Sequence, residues 1–150
     1  MLGPISLRVK MFEDSSRNVI ARSRRQLLWV LECLTQINVL WLRQHPETPL
    51  LYSSGVVYKP DMPGEIFRDI PNILEAGFGD CDCLSCYRTA ELRNIGIMAR
   101  SFIKWRLNDK GGWTYHALTA WPDGRIEDPS LALGMHDGRM FNRPVFVPPE

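Results

Sequence analysis

The segment CDCLSCYRTAELRN, residues 81–94, constrains the fold most, because it predicts a helix with apolar side chains around most of its circumference. Its polar side chains form one narrow stripe, made of Asp82, Ser85, Thr89 and Arg93. Gly79-Asp80 precedes the segment and offers an N-cap, and Gly96 lies just past its predicted end. Other elements must therefore cover this helix on nearly all sides.

The first part of the chain predicts a strand and a long helix. Residues 5–11, ISLRVKM, alternate apolar and polar side chains as a half-buried strand does. A long helix over residues 16–43 should follow, and His45-Pro46 should end it. The predicted core face of this helix carries Leu27, Leu31, Leu34 and Trp41.

The second part of the chain predicts a short helix and three antiparallel strands. The helix is IPNILEA, residues 70–76, which Gly77 stops. The strands are residues 97–106, residues 113–121 and the segment RIEDPS, with the turns NDKGG and PDG between them. Together with the long helix, these elements predict an α+β arrangement of helices packed on an antiparallel sheet.

Length and composition indicate one domain over residues 1–150. A chain of 150 residues, 45% hydrophobic and 23% charged, is long enough for one core and too apolar for a disordered protein. Residues 46–71 contain five prolines and two glycines with little periodicity. They predict an extended arm that lies over the domain, because the segment is flanked by elements of the same core.

Charge and hydropathy exclude two classes of partner. The net charge of +1 argues against nucleic acid, whose phosphates require a concentrated basic surface. Residues 27–42 are the only membrane candidate, but they are too short and contain Glu32, Gln36 and Asn38. The chain also begins without a secretory signal pattern, which predicts a reducing, cytoplasmic location.

Three of the four cysteines fall within residues 81–86, and three explanations compete for them. Zinc binding needs converging thiolates, but on a helix Cys81 lies ~140° or more from both Cys83 and Cys86. A zinc site stays open only if the segment is a knuckle instead of a helix. On a helix, Cys83 and Cys86 predict core packing, the usual fate of a free cysteine. We expect no bound metal and no cofactor.

Cys81 differs from its neighbours because it is predicted to be the first residue of the helix. Backbone N–H groups and the positive end of the helix dipole stabilise a thiolate at that position, and the thiolate is the nucleophilic form. Asp80 and Asp82 flank it, however, and nearby carboxylates raise the pKa of a thiol. A cation should compensate them, and an imidazolium is the expected one.

His116 is the candidate for that imidazolium. His45 precedes a proline and His136 lies in a polar segment, so surface roles are expected for both. WPDGR predicts a three-residue hairpin loop with Gly124 as its left-handed residue. If Trp121 pairs with Arg125, Asp128 falls opposite Leu118 and diagonal to His116 on the same sheet face. A carboxylate there can orient the ring, although Asp128 could also serve only as a strand-ending turn.

The segments GDCDCLSCYRTAELRNIGIMAR and YHALTAWPDGRIEDPS, within residues 79–130, resemble the transglutaminase-like (papain-like) cysteine enzymes. The resemblance implies that Cys81 is the nucleophile, His116 the general base and then acid, and Asp128 the orienting acid. Many bacterial members have an acid where this chain has Cys83. The resemblance also implies an oxyanion hole made by the Cys81 N–H and a second donor, for which Trp29, Trp41 and Tyr58 are candidates.

The resemblance implies a cysteine-dependent hydrolase or acyltransferase that cleaves amide bonds of a peptide or protein substrate through a thioester. Proteins of this appearance occur in bacterial and phage genomes, so the expected location is cytoplasmic or, for a phage protein, virion-associated. The alternative function is a non-catalytic module that keeps the fold for binding, such as a phage virion or assembly component with a structural protein as its partner. The unusual Cys83 and the small size of the chain motivate this alternative.

Overall fold

The computed structural model describes residues 17–61, 65–107 and 113–136. The strand predicted over residues 5–11 and the predicted NDKGG turn lie outside these ranges. Within these ranges there are four α-helices: α1 (Arg17–Gln44), α2 (Ile70–Ala76), α3 (Cys81–Asn94) and α4 (Pro129–Ala132). Five strands lie between or after them: β1 (Val57–Tyr58), β2 (Phe78–Gly79), β3 (Arg100–Leu107), β4 (Trp113–Ala120) and β5 (Ile126–Glu127). The predicted α+β class is confirmed.

The strands form two separate sheets within the described residues. The larger sheet is antiparallel in the order β3-β4-β5, as predicted, and the smaller one pairs β1 with β2 in parallel. β3 begins at Arg100, three residues later than expected, because the preceding residues end α3. Ile97 donates its backbone N–H to the Leu92 carbonyl, and Gly96 takes a left-handed conformation with φ 89°.

Helix α3 lies at the centre of the fold, as its apolar circumference predicts. On one side it packs against α1, whose Leu27, Leu31 and Leu34 are buried as expected. Cys86 of α3 lies in that same cluster together with residues of the sheet. Burial of this helix–helix contact removes apolar surface from water and is the main force holding α1 on the domain.

The polar stripe of α3 faces the large sheet, and its hydroxyl groups form hydrogen bonds with groups of β3 and β4. Ser85 Oγ donates to the Leu118 carbonyl (2.8 Å), and Thr119 Oγ1 donates to the Ser85 carbonyl (3.2 Å). Ser101 Oγ of β3 lies 2.9 Å from Thr89 Oγ1. These hydrogen bonds offset the cost of burying polar groups, and they fix the rotation of α3 relative to β4.

The arm before α2 is held against α3 by hydrogen bonds from α3 side chains. The Tyr87 hydroxyl donates to the Pro49 carbonyl (2.6 Å), and the Glu91 carboxylate accepts the backbone N–H of Leu51. A short 3-10 turn, Leu51–Ser53, follows. These hydrogen bonds hold the described part of the arm against α3.

Residues 27–42, which by sequence are too short and too polar for a membrane span, belong to helix α1. None of the helices in residues 17–61, 65–107 and 113–136 combines the length and the apolar character needed to span a bilayer.

Replacement of Leu31 by alanine tests whether the α1–α3 contact carries the stability of the fold. Leu31 is fully buried, whereas Leu40 on the same helix is 55% exposed, so L40A is a matched control. We expect L31A to lower the free energy of unfolding by about 2–5 kcal/mol and L40A to change it by no more than about 0.5 kcal/mol. Urea unfolding followed by circular dichroism measures both, and equal effects would contradict this packing.

Candidate functional site

Cys81 is the first residue of α3, as predicted. Asp80 is the N-cap, and its carboxylate accepts the backbone N–H of Cys83 (3.3 Å). Gly79 precedes the cap, and a Cβ added there would lie 3.2 Å from a Leu84 methyl group and 3.3 Å from the Cys83 Cβ. The absence of a side chain at Gly79 thus allows β2 to approach the helix closely and to deliver Cys81 at its N-terminus.

The Cys81 thiol lies against β4. The backbone N–H of Ala117, the residue after His116, donates to the sulfur and lowers its pKa. Burial and the negative charges of Asp82, Asp80 and Glu65 act in the opposite direction and are stronger. The pKa of Cys81 is therefore raised well above its ordinary value, as the flanking acids predicted.

The other two clustered sulfurs point elsewhere. The Cys83 Sγ donates to the Ile66 carbonyl (3.3 Å) and accepts the backbone N–H of Arg68 (3.1 Å). The Cys86 Sγ donates to the Leu31 carbonyl of α1 (3.4 Å). All four cysteines carry free thiols. Because the segment is a helix, its three thiols do not converge, and no Cys₃ zinc knuckle forms.

The β4–β5 hairpin has the predicted geometry. Trp121 donates its backbone N–H to the Arg125 carbonyl (2.8 Å), and Gly124 adopts φ 90°. The register then pairs Thr119 with Glu127. His116 Nε2 and Asp128 Oδ2 are 2.8 Å apart, and both side chains are buried. The predicted contact between ring and acid is present.

Asp128 also begins the last helix. Its other carboxylate oxygen, Oδ1, accepts the backbone N–H of Leu131 (3.1 Å) and caps α4, which has Pro129 in its first turn. The Asp128 side chain therefore both contacts the His116 ring and forms the turn into α4. The predicted third strand is accordingly short and ends at Glu127, because Asp128 turns into this cap.

The structure brings the three predicted residues into one region. His116 and Asp128 are in direct contact, and the Cys81 thiol contacts the backbone of the residue that follows His116. Cys81 comes from the start of α3, His116 from β4, and Asp128 from the cap that joins β5 to α4. A thiol, an imidazole and a carboxylate are the groups that thiol catalysis uses.

Acidic groups beside Cys81 form a feature that the sequence only partly predicted. Asp82 is fully buried, and Oδ2 accepts the Tyr115 hydroxyl (3.0 Å), while Oδ1 has no hydrogen-bond partner in the described part of the chain. Burial, Asp80 and Glu65 raise the pKa of Asp82 well above its ordinary value. The contributions of Glu65 and Tyr115 were missed, since both lie far from Cys81 in the sequence.

Asp80, Asp82 and Cys83 place three ligand atoms within 4.8 Å of one another. Their hydrogen bonds explain this grouping without a cation. Asp80 caps the helix, Asp82 accepts from Tyr115, and the Cys83 sulfur accepts a backbone N–H. The positive end of the α3 dipole also lies there and disfavours a metal ion.

The three candidate oxyanion donors lie in different parts of the structure. Trp29 is 66% exposed on the outer face of α1, and Trp41 Nε1 donates to Thr48 Oγ1 (3.1 Å). Neither is a suitable donor at Cys81. Tyr58 pairs with Gly79 in the small sheet, and its backbone N–H donates to the Leu133 carbonyl after α4 (2.9 Å). Only Tyr58 lies between the segments that carry Cys81 and Asp128.

The chain matches no protein-family model, no curated protein and no solved structure. The geometry of the described residues is therefore the basis for assigning a function.

Replacement of Asp82 by asparagine tests the buried carboxyl. Because the folded-state pKa of Asp82 is raised, the wild-type protein loses stability as pH rises above the unfolded value of about 4 and up to the folded value. Each pH unit in that window costs about 1.4 kcal/mol. D82N lacks this titration, so its stability relative to the wild type should increase as pH rises.

Urea unfolding at several pH values measures this difference. D123N is the control, because Arg125 holds the pKa of the exposed Asp123 below its ordinary value through hydrogen bonds. The difference in unfolding free energy between D123N and the wild type should stay constant above about pH 5. If the difference in unfolding free energy between D82N and the wild type is also constant with pH, the pKa of Asp82 is not raised in the folded protein.

Proposed function

We propose that this protein is a cysteine-dependent hydrolase or acyltransferase of the transglutaminase-like type, acting on amide bonds of peptide-like substrates. The observation that carries the proposal is the buried 2.8 Å contact between His116 and Asp128, one residue along β4 from the Ala117 N–H that the Cys81 thiol accepts. Together with Cys81 at the N-terminus of α3, this pair would supply the three roles that thiol catalysis requires. A phage or bacterial setting, and a peptide or protein as substrate, remain parts of the same proposal.

The contact with Asp128 assigns the two ring nitrogens of His116. When Nε2 carries the proton that it donates to Asp128, Nδ1 is the basic nitrogen of the neutral ring. Nδ1 then accepts the proton of the Cys81 thiol. Asp128 holds the ring orientation and stabilises the imidazolium that forms.

The acids near Cys81 favour this coupled proton transfer. Burial and nearby carboxylates disfavour an isolated thiolate at Cys81, so the thiol keeps its proton until a base can take it. Transfer of that proton to His116 creates two opposite charges, and their attraction makes a thiolate–imidazolium pair less costly than a thiolate alone.

The chemistry follows in two balanced steps. The Cys81 sulfur bonds to the amide carbonyl carbon, the C–N bond breaks, and His116 returns its proton to the leaving nitrogen. A thioester on Cys81 and a free amine result. Water or a second amine then gives a proton to His116 and attacks the thioester, and the C–S bond breaks to restore the thiol.

Oxyanion stabilisation in both steps needs hydrogen-bond donors at the N-terminus of α3. As the first helical residue, Cys81 has a backbone N–H that no carbonyl of its own helix can accept. The Tyr58 hydroxyl is the proposed second donor. Burial and the negative charges of Cys81, Asp80 and Asp128 raise its pKa to about 12, so the phenol stays protonated and able to donate.

Selective alkylation tests the nucleophile. With limiting iodoacetamide near neutral pH, we expect Cys81 to be labelled faster than the exposed Cys33, because His116 accepts its proton. H116A should abolish this preference, and D128N should lower the rate by about 10²–10⁴-fold. Peptide mapping by mass spectrometry identifies the labelled cysteine across pH.

C83A is the matched control, since Cys83 lies two residues away and its sulfur is bonded to backbone groups. In C83A, Cys81 should be alkylated at the wild-type rate. Equal labelling of Cys81 and Cys33 in the wild type, and no effect of H116A, would refute the proposed mechanism.

Replacement of Tyr58 by phenylalanine tests the second donor. Loss of one oxyanion donor should lower kcat by about 10²–10³-fold with little change in KM, because the bond forms mainly in the transition state. The assay is hydrolysis of a panel of chromogenic amides and esters. Y87F is the control, because the Tyr87 hydroxyl donates to the Pro49 carbonyl instead. Unchanged kcat in Y58F would exclude Tyr58 from this role.

A non-catalytic binding module is the second candidate function. The observation that favours it is the pKa of Cys81, which burial and three carboxyl groups raise instead of lower. A phage virion or assembly protein is the proposed partner in that case. A stoichiometric complex that survives C81A, together with no turnover by the wild type, would support binding over catalysis.

A further inference from the structure

Strand β5 is too short to position Asp128 by itself. It contains two residues, Ile126 and Glu127, and they pair with Ala120 and Thr119 of β4. A shift of one residue in this pairing would turn Asp128 to the opposite face of the sheet, away from His116. The turn at Gly124 favours the observed register, and additional interactions must hold a strand this short in it.

Glu127, the residue before Asp128, makes an unusually complete set of hydrogen bonds. Its side chain is fully buried, and Arg88 approaches it with two nitrogens, Nε at 2.7 Å and Nη2 at 3.2 Å. The Tyr52 hydroxyl (2.9 Å) and the Trp121 Nε1 (2.7 Å) donate to the same carboxylate. The planar guanidinium fork fixes both the position and the plane of the Glu127 carboxylate.

Arg88 belongs to the helix that carries Cys81. It lies seven residues after Cys81, about two turns along α3. Its third contact is Nη1 to the Glu91 carboxylate (2.9 Å), whose other oxygen accepts the backbone N–H of Leu51. The network therefore joins α3, the arm and β5 at one buried point.

Arg88 keeps its positive charge in the network. Burial lowers the pKa of Arg88, but hydrogen bonds and attraction from Glu127 and Glu91 more than offset this, so the pKa is raised above its ordinary value. Burial and the charge of Glu127 likewise raise the pKa of Tyr52 and keep it a donor. A change of register would leave a buried charge unpaired, which is strongly unfavourable.

We propose that Arg88 and Glu127 are positioning residues that set the register of β5 and thereby hold Asp128 against His116. Side chains alternate across a strand, and Glu127 and Thr119 face α3. Fixing Glu127 towards Arg88 therefore directs Asp128 to the opposite face, where His116 lies. The effect of this positioning on catalysis rests on the proposed function, whereas its effect on the position of Asp128 does not.

Nitrogen-15 labelling of histidine in the full chain gives a direct readout. The ring N–H that His116 donates to Asp128 should appear as a low-field proton resonance, and H116Q assigns it. D128N removes this charged acceptor and is the reference for its loss. We expect R88K to lose or shift the His116 resonance as D128N does, because lysine keeps the positive charge of Arg88 but lacks its planar pair of nitrogens. Circular dichroism should show that R88K is folded.

R93K is the matched control. Arg93 lies on the same helix and binds the Glu32 carboxylate with two nitrogens, at 2.6 and 2.9 Å, but it does not contact β5. R93K should keep the His116 resonance. Kinetically, R88K should lower kcat and the Cys81 alkylation rate by about 100-fold with KM little changed, since a displacement of about 1 Å has that effect.

The outcomes separate the two proposals. If folded R88K keeps the wild-type resonance and alkylation rate, the positioning role is overturned. If R88K does not fold, E127Q takes its place in the same measurements; if neither folds, the pair is needed for folding as a whole and the narrower role is overturned. A wild-type protein without Cys81 reactivity, whose resonance nevertheless responds to R88K and not to R93K, refutes the proposed function and supports the positioning role.

Discussion

Burial of α3 on nearly all sides is the constraint on which the rest of the structure depends. α1 covers one side of the helix, the large sheet covers its polar stripe, and the arm lies against its C-terminal half. A helix enclosed in this way is fixed in both rotation and translation, because interiors pack densely and tolerate little displacement. Its N-terminus, with Cys81, therefore meets β4 at one defined place.

The polar groups inside this core divide into two regions with different electrostatics. Near Cys81, the carboxyl groups of Asp80 and Asp82 lie close together, and the pKa of Asp82 is raised, so protons or an imidazolium must balance the charge. Near the middle of α3, Arg88 balances Glu127 and Glu91 through direct ion pairs. The first region is able to change its protonation during a reaction, whereas in the second the ion pairs hold Arg88 in its charged form.

Much of the fold followed from local patterns. The bounds of α3 and the Asp80 cap were predicted because a capping residue, an apolar circumference and a following glycine all agree. The hairpin at Gly124 was predictable for the same reason, since its turn requires a left-handed residue and glycine is present. The contact between His116 and Asp128 then followed from strand register alone.

Other features had no local signal. Pairing of β1 with β2 was not predicted, because two-residue strands show no periodicity and their partners are distant in the chain. Arg88 was indistinguishable in the sequence from a solvated helix residue, and Glu127 from an exposed strand residue. The transglutaminase-like core likewise stays a prediction, since an α+β class is compatible with many cores.

The sequence by itself determined the larger helices α1, α2 and α3, the strands β3 and β4, the burial of α3, and the placement of Asp128 near His116, because capping, periodicity and turn chemistry act over a few residues. Only the tertiary structure decided that Cys81 lies against β4, that Glu65 and Tyr115 join its surroundings, and that Arg88 binds Glu127. These contacts join residues far apart in the chain. They depend on how the elements pack, and packing is set by the summed shape and charge of the whole core and not by any single segment.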